Sequence, residues 1–216
     1  MITLHYYPGN ASFAPHVVLH ELGVPFELSL VDRAVNAHKS PGYLKLNPNG
    51  LIPALVDGDL VLHETAAICL HLADTHPAAL LAPPIGTPER ALFYKWLMWL
   101  TNTVQANAIH YFYGHRLVDE GNTDAIAQIK AHVQAKLGEC LLQIDTHLAT
   151  TPGPWMMGAQ YTVLDPYVWM VCRWTRGFSD KPARSYAHIG PYLECVQQRP
   201  AMQRVIAVEQ LSLPLV

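Results

Sequence analysis

Charge is scarce in this chain. Only 14% of its 216 residues are Asp, Glu, Lys or Arg, against roughly 25% in an ordinary globular protein. Much of its surface is therefore expected to be covered by packing or by a second subunit. The 14 Lys and Arg residues are scattered and the net charge is −3. No basic stripe exists to follow a phosphate backbone, which excludes nucleic acid as a partner. Long apolar runs are also missing, since none approaches the roughly 20 residues that span a bilayer. The opening residues, Met1-Ile2-Thr3-Leu4-His5, lack the basic segment and apolar stretch of a secretory signal. The expectation is a soluble, cytoplasmic protein with no membrane partner.

Paired cysteines are absent too. Cys69, Cys140, Cys172 and Cys195 stand far apart with no CxxC, so neither a zinc site nor a disulfide framework is expected, only buried free thiols. Among the 12 histidines, His16 and His20 are four apart with Glu21 alongside. The order is not HExxH and no third ligand is apparent, so no metal is expected.

What is present changes character midway. Ile2 to Tyr7 is a short β-rich run broken by Pro8-Gly9-Asn10, and Pro15 to Leu22 follows at helical spacing until Gly23. Phe26 to Val31 reads as a second strand, and Ser40-Pro41 as an N-cap with proline at the first helical position. Pro53 to Val56 and Leu60 to Leu62 read as paired antiparallel strands joined at Asp57-Gly58, and a helix runs from Thr65 to about Ala73. The order is βαβαββα, with the first two connections read as crossovers between parallel strands. Four prolines and a glycine between residues 77 and 88 can sustain neither helix nor ladder. Beyond them everything reads as helix: one from Pro88 to the Tyr111–Arg116 region, one from Thr123 to Leu148, and two or three shorter ones. Thr162 and Asp165 suit the start of a central, apolar helix. The boundaries drawn are 1–78 for an α/β domain, 79–87 for a linker and 88–216 for an all-α domain.

The most informative stretch is Asn47-Pro-Asn-Gly-Leu-Ile-Pro53-Ala-Leu-Val, with His63-Glu64-Thr65-Ala-Ala-Ile soon after. It resembles the signature of the glutathione S-transferase family. That resemblance implies a thioredoxin-like N-terminal domain, a cis bond between Ile52 and Pro53, and a helical C-terminal domain holding an apolar co-substrate. A cis bond would turn the main chain of Ile52 outward to pair with an extended peptide, and glutathione is such a peptide. The free amides at the start of the third helix and the Thr65 hydroxyl suit its γ-glutamyl carboxylate. Glu64 suits its ammonium, and Lys39 stands where the family often places a base near the glycyl carboxylate. No metal is implied, and glutathione enters as co-substrate.

Glutathione must act as thiolate, so its thiol, near 8.5 when free, needs a donor or positive potential nearby. The first strand–helix turn reads Tyr7-Pro8-Gly9-Asn10-Ala11-Ser12-Phe13-Ala14-Pro15-His16, similar to the bacterial beta-class pattern except that Ala11 replaces its cysteine. Mixed-disulfide chemistry is therefore unavailable to this turn. Ser12 is taken as the thiolate donor, Asn10 as the second candidate, and Tyr6 or Tyr7 after them. By rough alignment, Met98 and Gln105 replace the Asn and His that reach the sulfur in that class. Trp96, Trp99, Leu100 and Thr103 read as core or pocket wall, with Tyr111 and Tyr113 as wall positions. The expected activity is conjugation of glutathione to a small apolar electrophile by a homodimer. The alternatives are an isomerase, lyase or dehalogenase on the same scaffold, or a non-catalytic ligand- or protein-binding module.

Overall fold

A computed structural model describes residues 1–216. Strands β1 (Ile2–Tyr6) and β2 (Phe26–Leu30) flank helix α1 (Phe13–Leu22), and a one-turn helix α2 (Pro41–Leu44) precedes β3 (Ala54–Asp57) and β4 (Leu60–His63). Helix α3 (Thr65–Thr75) completes the expected βαβαββα order. Local chemistry explains the boundaries. Gly23, at φ 65, ends α1 in the left-handed conformation that glycine adopts without penalty. The Ser40 side chain accepts from the Tyr43 amide while Pro41 opens α2.

The sheet order is β2-β1-β3-β4. Its directions correct one expectation: β1 and β2 are parallel, but β3 runs antiparallel to β1, with His5 opposite Ala54 and Ile2 opposite Asp57. The physical reason is the missing crossover helix. A parallel return is ordinarily made by a helix packed along the sheet, whereas the helix between β2 and β3, α2, has four residues and rises only about 6 Å at 1.5 Å per residue. The chain thus enters β3 at the end where β2 left it. The hairpin loop is Gly58-Asp59, one residue later than Asp57-Gly58, with Asp57 paired to Leu60 and Gly58 at φ 59.

The helical half comprises α4 (Pro88–Trp99), α5 (Ala106–Tyr113), α6 (Thr123–Thr150), α7 (Leu164–Trp174), α8 (Ile189–Gln197) and α9 (Pro200–Val208). Between α4 and α5 the helix continues as six residues of π-helix, Leu100–Gln105, a widening that leaves main-chain groups less regularly paired. Every residue of α7 from Leu164 to Arg173 is buried. Its start is fixed as the Thr162/Asp165 spacing predicts: the Thr162 amide donates to Asp165 Oδ2 at 2.8 Å and the Leu164 amide to Thr162 Oγ1 at 3.3 Å. Asp165 Oδ1 also accepts from the Met156 amide and the Tyr192 hydroxyl. Burial nevertheless pushes its carboxyl up to about 6, against the pull of those donors.

Both halves share one continuous apolar core. Phe13 of α1 stacks on Trp169 of α7 with centroids 4.8 Å apart. Arg90 of α4 grips Asp74 of α3 with two hydrogen bonds, 2.7 and 2.9 Å, and donates to the Pro83 carbonyl. That buried guanidinium pins the Pro-rich connection against both domains. No helix is long and apolar enough to cross a membrane.

Candidate functional site

The antiparallel course of β3 decides where chemistry can collect. Because β1 ends, β3 begins and β4 ends at the same edge of the sheet, three connections meet there: the Tyr7–Ser12 turn, Ile52–Pro53, and Glu64–Thr65. Facing them are α5, the 3-10 turn after it and the end of α7. Between lies a cavity of about 380 Å³.

The Ile52–Pro53 bond is cis, as the resemblance implied. Neither the amide nor the carbonyl of Ile52 is used in any turn or loop hydrogen bond. Its neighbour is held firmly instead: the Leu51 carbonyl accepts from the Tyr43 hydroxyl at 2.7 Å and from Asn47 Nδ2 at 2.8 Å. Burial pushes the Tyr43 phenol up to about 12, so it remains a donor. Gly50 sits at φ 59, and a Cβ there would approach the His38 carbonyl to 2.9 Å and Lys39 Nζ to 2.6 Å. Only glycine lets this loop close so tightly.

Glu64 precedes α3 at φ 74, a conformation that costs a non-glycine residue about 1–3 kcal/mol. Its side chain does not cap the helix. The amides of Thr65, Ala66 and Ala67 have no main-chain acceptor, the first intrahelical donor being Ile68. Together they form a ready anion-binding helix start beside the unpaired edge of Ile52. Thr65 Oγ1 donates to the Ala11 carbonyl at 3.2 Å and clips the helix start to the first turn. An extended peptide with a carboxylate and an ammonium at one end fits these groups.

The first turn is built differently from its sequence reading. Ser12 is fully buried and does not line the cavity. Its hydroxyl donates to the Tyr7 carbonyl at 3.1 Å and accepts from the Tyr7 amide at 3.2 Å, so it braces the turn from behind. Asn10 and Ala11 line the cavity. Asn10 Oδ1 accepts from the Ala11 amide, which leaves the Asn10 NH2 as the free donor. Tyr7 lines the cavity, whereas Tyr6 packs edge-on against His16.

Two residues from the helical half hold this turn, and sequence reasoning missed both. Glu209, at the end of α9, accepts from the Gly9 amide at 2.8 Å and from His16 Nδ1 at 2.8 Å, with both side chains fully buried. Trp174 Nε1 donates to the Gly9 carbonyl at 3.3 Å. His16 is therefore a buttress for Glu209, its ring tilted against that of His20.

Lys39 lies outside the cavity lining, donating to the Asn49 carbonyl, while its neighbour His38 faces in. Met98 is 44% exposed and stands apart from the cleft. Gln105, the last π-helical residue, lines it; its Oε1 accepts from the Tyr167 hydroxyl, leaving its NH2 to face the cavity. Tyr113 is a wall residue, but Tyr111 packs on Phe178, and Trp96 is core. Arg33, Arg116 and Arg176 also line the cavity. They come from three distant stretches of chain, so no local pattern announced them.

A two-layer domain that offers an unpaired main-chain edge and a free helix start, facing a helical domain across a cleft, defines a class of thioredoxin-like peptide-binding proteins. Comparison with known proteins narrows it. Residues 12–75 match the family described as Glutathione S-transferase, N-terminal domain. Glutathione S-transferase GST-4.5 of Xanthomonas campestris is 34% identical over 79% of this chain and 81% of its own. A glutathione transferase structure from Methylococcus capsulatus superposes with a TM-score of 0.84 at 33% identity, covering 98% of this chain and all of that one. A Sulfitobacter homologue crystallised with bound glutathione gives 0.87 at 27% identity, over 98% and 99% of the two chains. The chain belongs to the glutathione S-transferase family. The enzyme class expected from its sequence, a glutathione transferase, stands.

Proposed function

We propose that residues 1–78 bind glutathione as an added strand on Ile52 and that residues 88–216 hold a small electrophile with an apolar body. The observation that carries this reading is the unpaired main chain of Ile52 beside the free amides of Thr65, Ala66 and Ala67. The γ-glutamyl carboxylate takes those amides and the ammonium takes Glu64. The glycyl carboxylate turns toward His38 and Lys39. The sulfur then lies near Asn10, whose NH2, with that of Gln105, stabilises the thiolate; Ser12 holds the turn that presents Asn10. The thiolate forms a bond to carbon with its own electron pair while the leaving group departs with the bonding pair, so no oxidant or metal is called for. We further propose a cytoplasmic homodimer, in which a second subunit covers exposed apolar side chains such as Leu60 and Val61 on edge strand β4 or Leu92 and Met98 on α4.

The test is titration of glutathione followed by ultraviolet thiolate absorbance across pH. The bound thiol is expected at least about one unit below its free value near 8.5, returning toward that value in Asn10→Ala. Thr65→Ala keeps the helix-start amides but removes the hydroxyl clip to the Ala11 carbonyl that holds the helix start against the first turn, and should weaken binding by up to about tenfold, the worth of one hydrogen bond. Absence of binding, or a bound thiol that stays protonated near neutrality, refutes catalysis by this route. A second reading, a non-catalytic glutathione-binding module, draws on Ala11 at the cysteine position and on the Ser12 hydroxyl being spent on Tyr7; it would keep the binding and lose the thiolate signal.

A further inference from the structure

The cleft is cationic in a protein that is not. The chain carries a net charge of −3, yet its cavity lining brings together Arg33, Arg116 and Arg176 against a single carboxylate, Glu64. None of the three arginines takes part in an ion pair. This is unusual for guanidinium groups gathered in one concavity, where like charges repel unless an anion joins them.

Two of them gather about one ring, Tyr113 of α5. Arg33 reaches across from the loop after β2 and donates to the Tyr113 hydroxyl of α5 at 2.6 Å. Arg116, in the turn after α5, stacks over the Tyr113 ring at 4.1 Å. The same ring thus fixes both cations, and Arg33 also lies 5.7 Å from the Tyr7 centroid. A planar phenol locks two forked donors on the helical side of the cleft, where Ile109 and Phe112 offer an apolar wall. Nearby, His38 Nδ1 is buried with no hydrogen-bond partner, an unmet polar demand on the same rim. Burial above all, then the charges of Lys39, Arg33 and Arg116, hold the His38 imidazole below its ordinary range.

We infer that the electrophile this cleft selects carries a carboxylate: its apolar body lies against Ile109 and Phe112, and its carboxylate is held by Arg33 and Arg116 about the Tyr113 ring. Guanidinium groups suit this role because their forks match carboxylate geometry and stay charged at any physiological pH. The inference rests on the proposed glutathione reading and sharpens the substrate class. A neutral aryl electrophile would leave both arginines unanswered, whereas an aryl or alkyl acid would answer them and be drawn in by the field of the cleft.

The experiment is calorimetric titration of the full-length protein with two product-like probes, S-benzylglutathione and S-(4-carboxybenzyl)glutathione, so that binding is read without turnover. The carboxylated probe is expected to bind at least about tenfold more tightly, a gain typical of a charge-assisted hydrogen-bonded pair. That preference should shrink toward unity in Arg116→Gln, an exposed position whose replacement need not disturb the fold, and in the parent protein at about 1 M salt, where the screening length is about 3 Å. Equal affinity for the two probes overturns the inference while leaving the glutathione site intact. So does an Arg116→Gln variant that weakens both probes alike, since the arginine would then serve the tripeptide. If neither probe binds, the glutathione reading fails and this inference falls with it.

Discussion

Replacing Glu209 with alanine should damage the protein in two separable ways, because one buried carboxylate serves both the core and the cleft. Its two oxygens accept from the Gly9 amide and from His16 Nδ1, each at 2.8 Å, in surroundings with no exposed side-chain surface. Alanine leaves both donors without acceptors. An orphaned buried donor costs about 1–3 kcal/mol, so the loss from two is expected at about 2–6 kcal/mol. At about 2–4 °C per kcal/mol for a chain of this size, the melting midpoint should fall by about 4–24 °C.

Glutamine is the informative comparison. If its carbonyl oxygen keeps the Gly9 amide, its NH2 must face His16 Nδ1, which forces the imidazole proton onto Nε2. That nitrogen is already buried without a partner, so Glu209→Gln should still lose about 1–3 kcal/mol. Glu194→Ala, at an exposed glutamate with no ion pair, should stay within about 0.5 kcal/mol of the parent. Urea unfolding gives all three free energies. Because Gly9 belongs to the turn that lines the cleft, glutathione affinity should drop with Glu209→Gln at temperatures where that variant remains folded. A Glu209→Ala protein as stable as the Glu194→Ala control would refute the view that the C-terminal segment holds the first turn in place.

The Asp165 carboxyl, raised to about 6 from 3.8 by burial, binds its proton more tightly folded than unfolded. Its contribution is therefore complete below about pH 4 and lost as pH rises through about 6. Unfolding free energies of the parent relative to Asp165→Asn should fall by about 2–3 kcal/mol across that window, and a pH-independent difference would contradict the assignment. Phe13→Ala empties the stack on Trp169 and should cost about 3–5 kcal/mol by urea unfolding; a loss under about 1 kcal/mol would mean that the two halves do not share a tightly packed core. Arg90→Lys keeps the charge but not the fork that grips Asp74 and the Pro83 carbonyl, and should lose about 1–3 kcal/mol in the same assay. Retention of full stability there would show the fork to be incidental.

Much of the architecture was written in local chemistry. Gly23 ends α1, Ser40 and Pro41 begin α2, and Thr162 with Asp165 begins α7, each through hydrogen bonds or dihedral preferences that involve residues only a few positions apart. The stretch from Asn47 to Pro53 and the Glu64-Thr65 pair announced the glutathione S-transferase family because the groups that shape this loop and the helix start are nearly contiguous in the chain. Strand direction was not local in that sense: whether β3 runs with or against β1 depends on the course the β2–β3 connection takes, and with only the one-turn α2 within it no crossover helix returns the chain along the sheet. The antiparallel result is what brings Pro53 to the same edge as the first turn. Nor did Ser12 follow from its neighbours, for a hydroxyl beside the expected cysteine position looks available until the Tyr7 main chain is seen to take both its bonds. Glu209 meets Gly9 across 200 positions, and Arg33, Tyr113 and Arg116 meet only when the two domains close on each other. Short-range hydrogen bonding can be read from residue order, whereas the field inside a cleft is a sum over charges that only packing brings together.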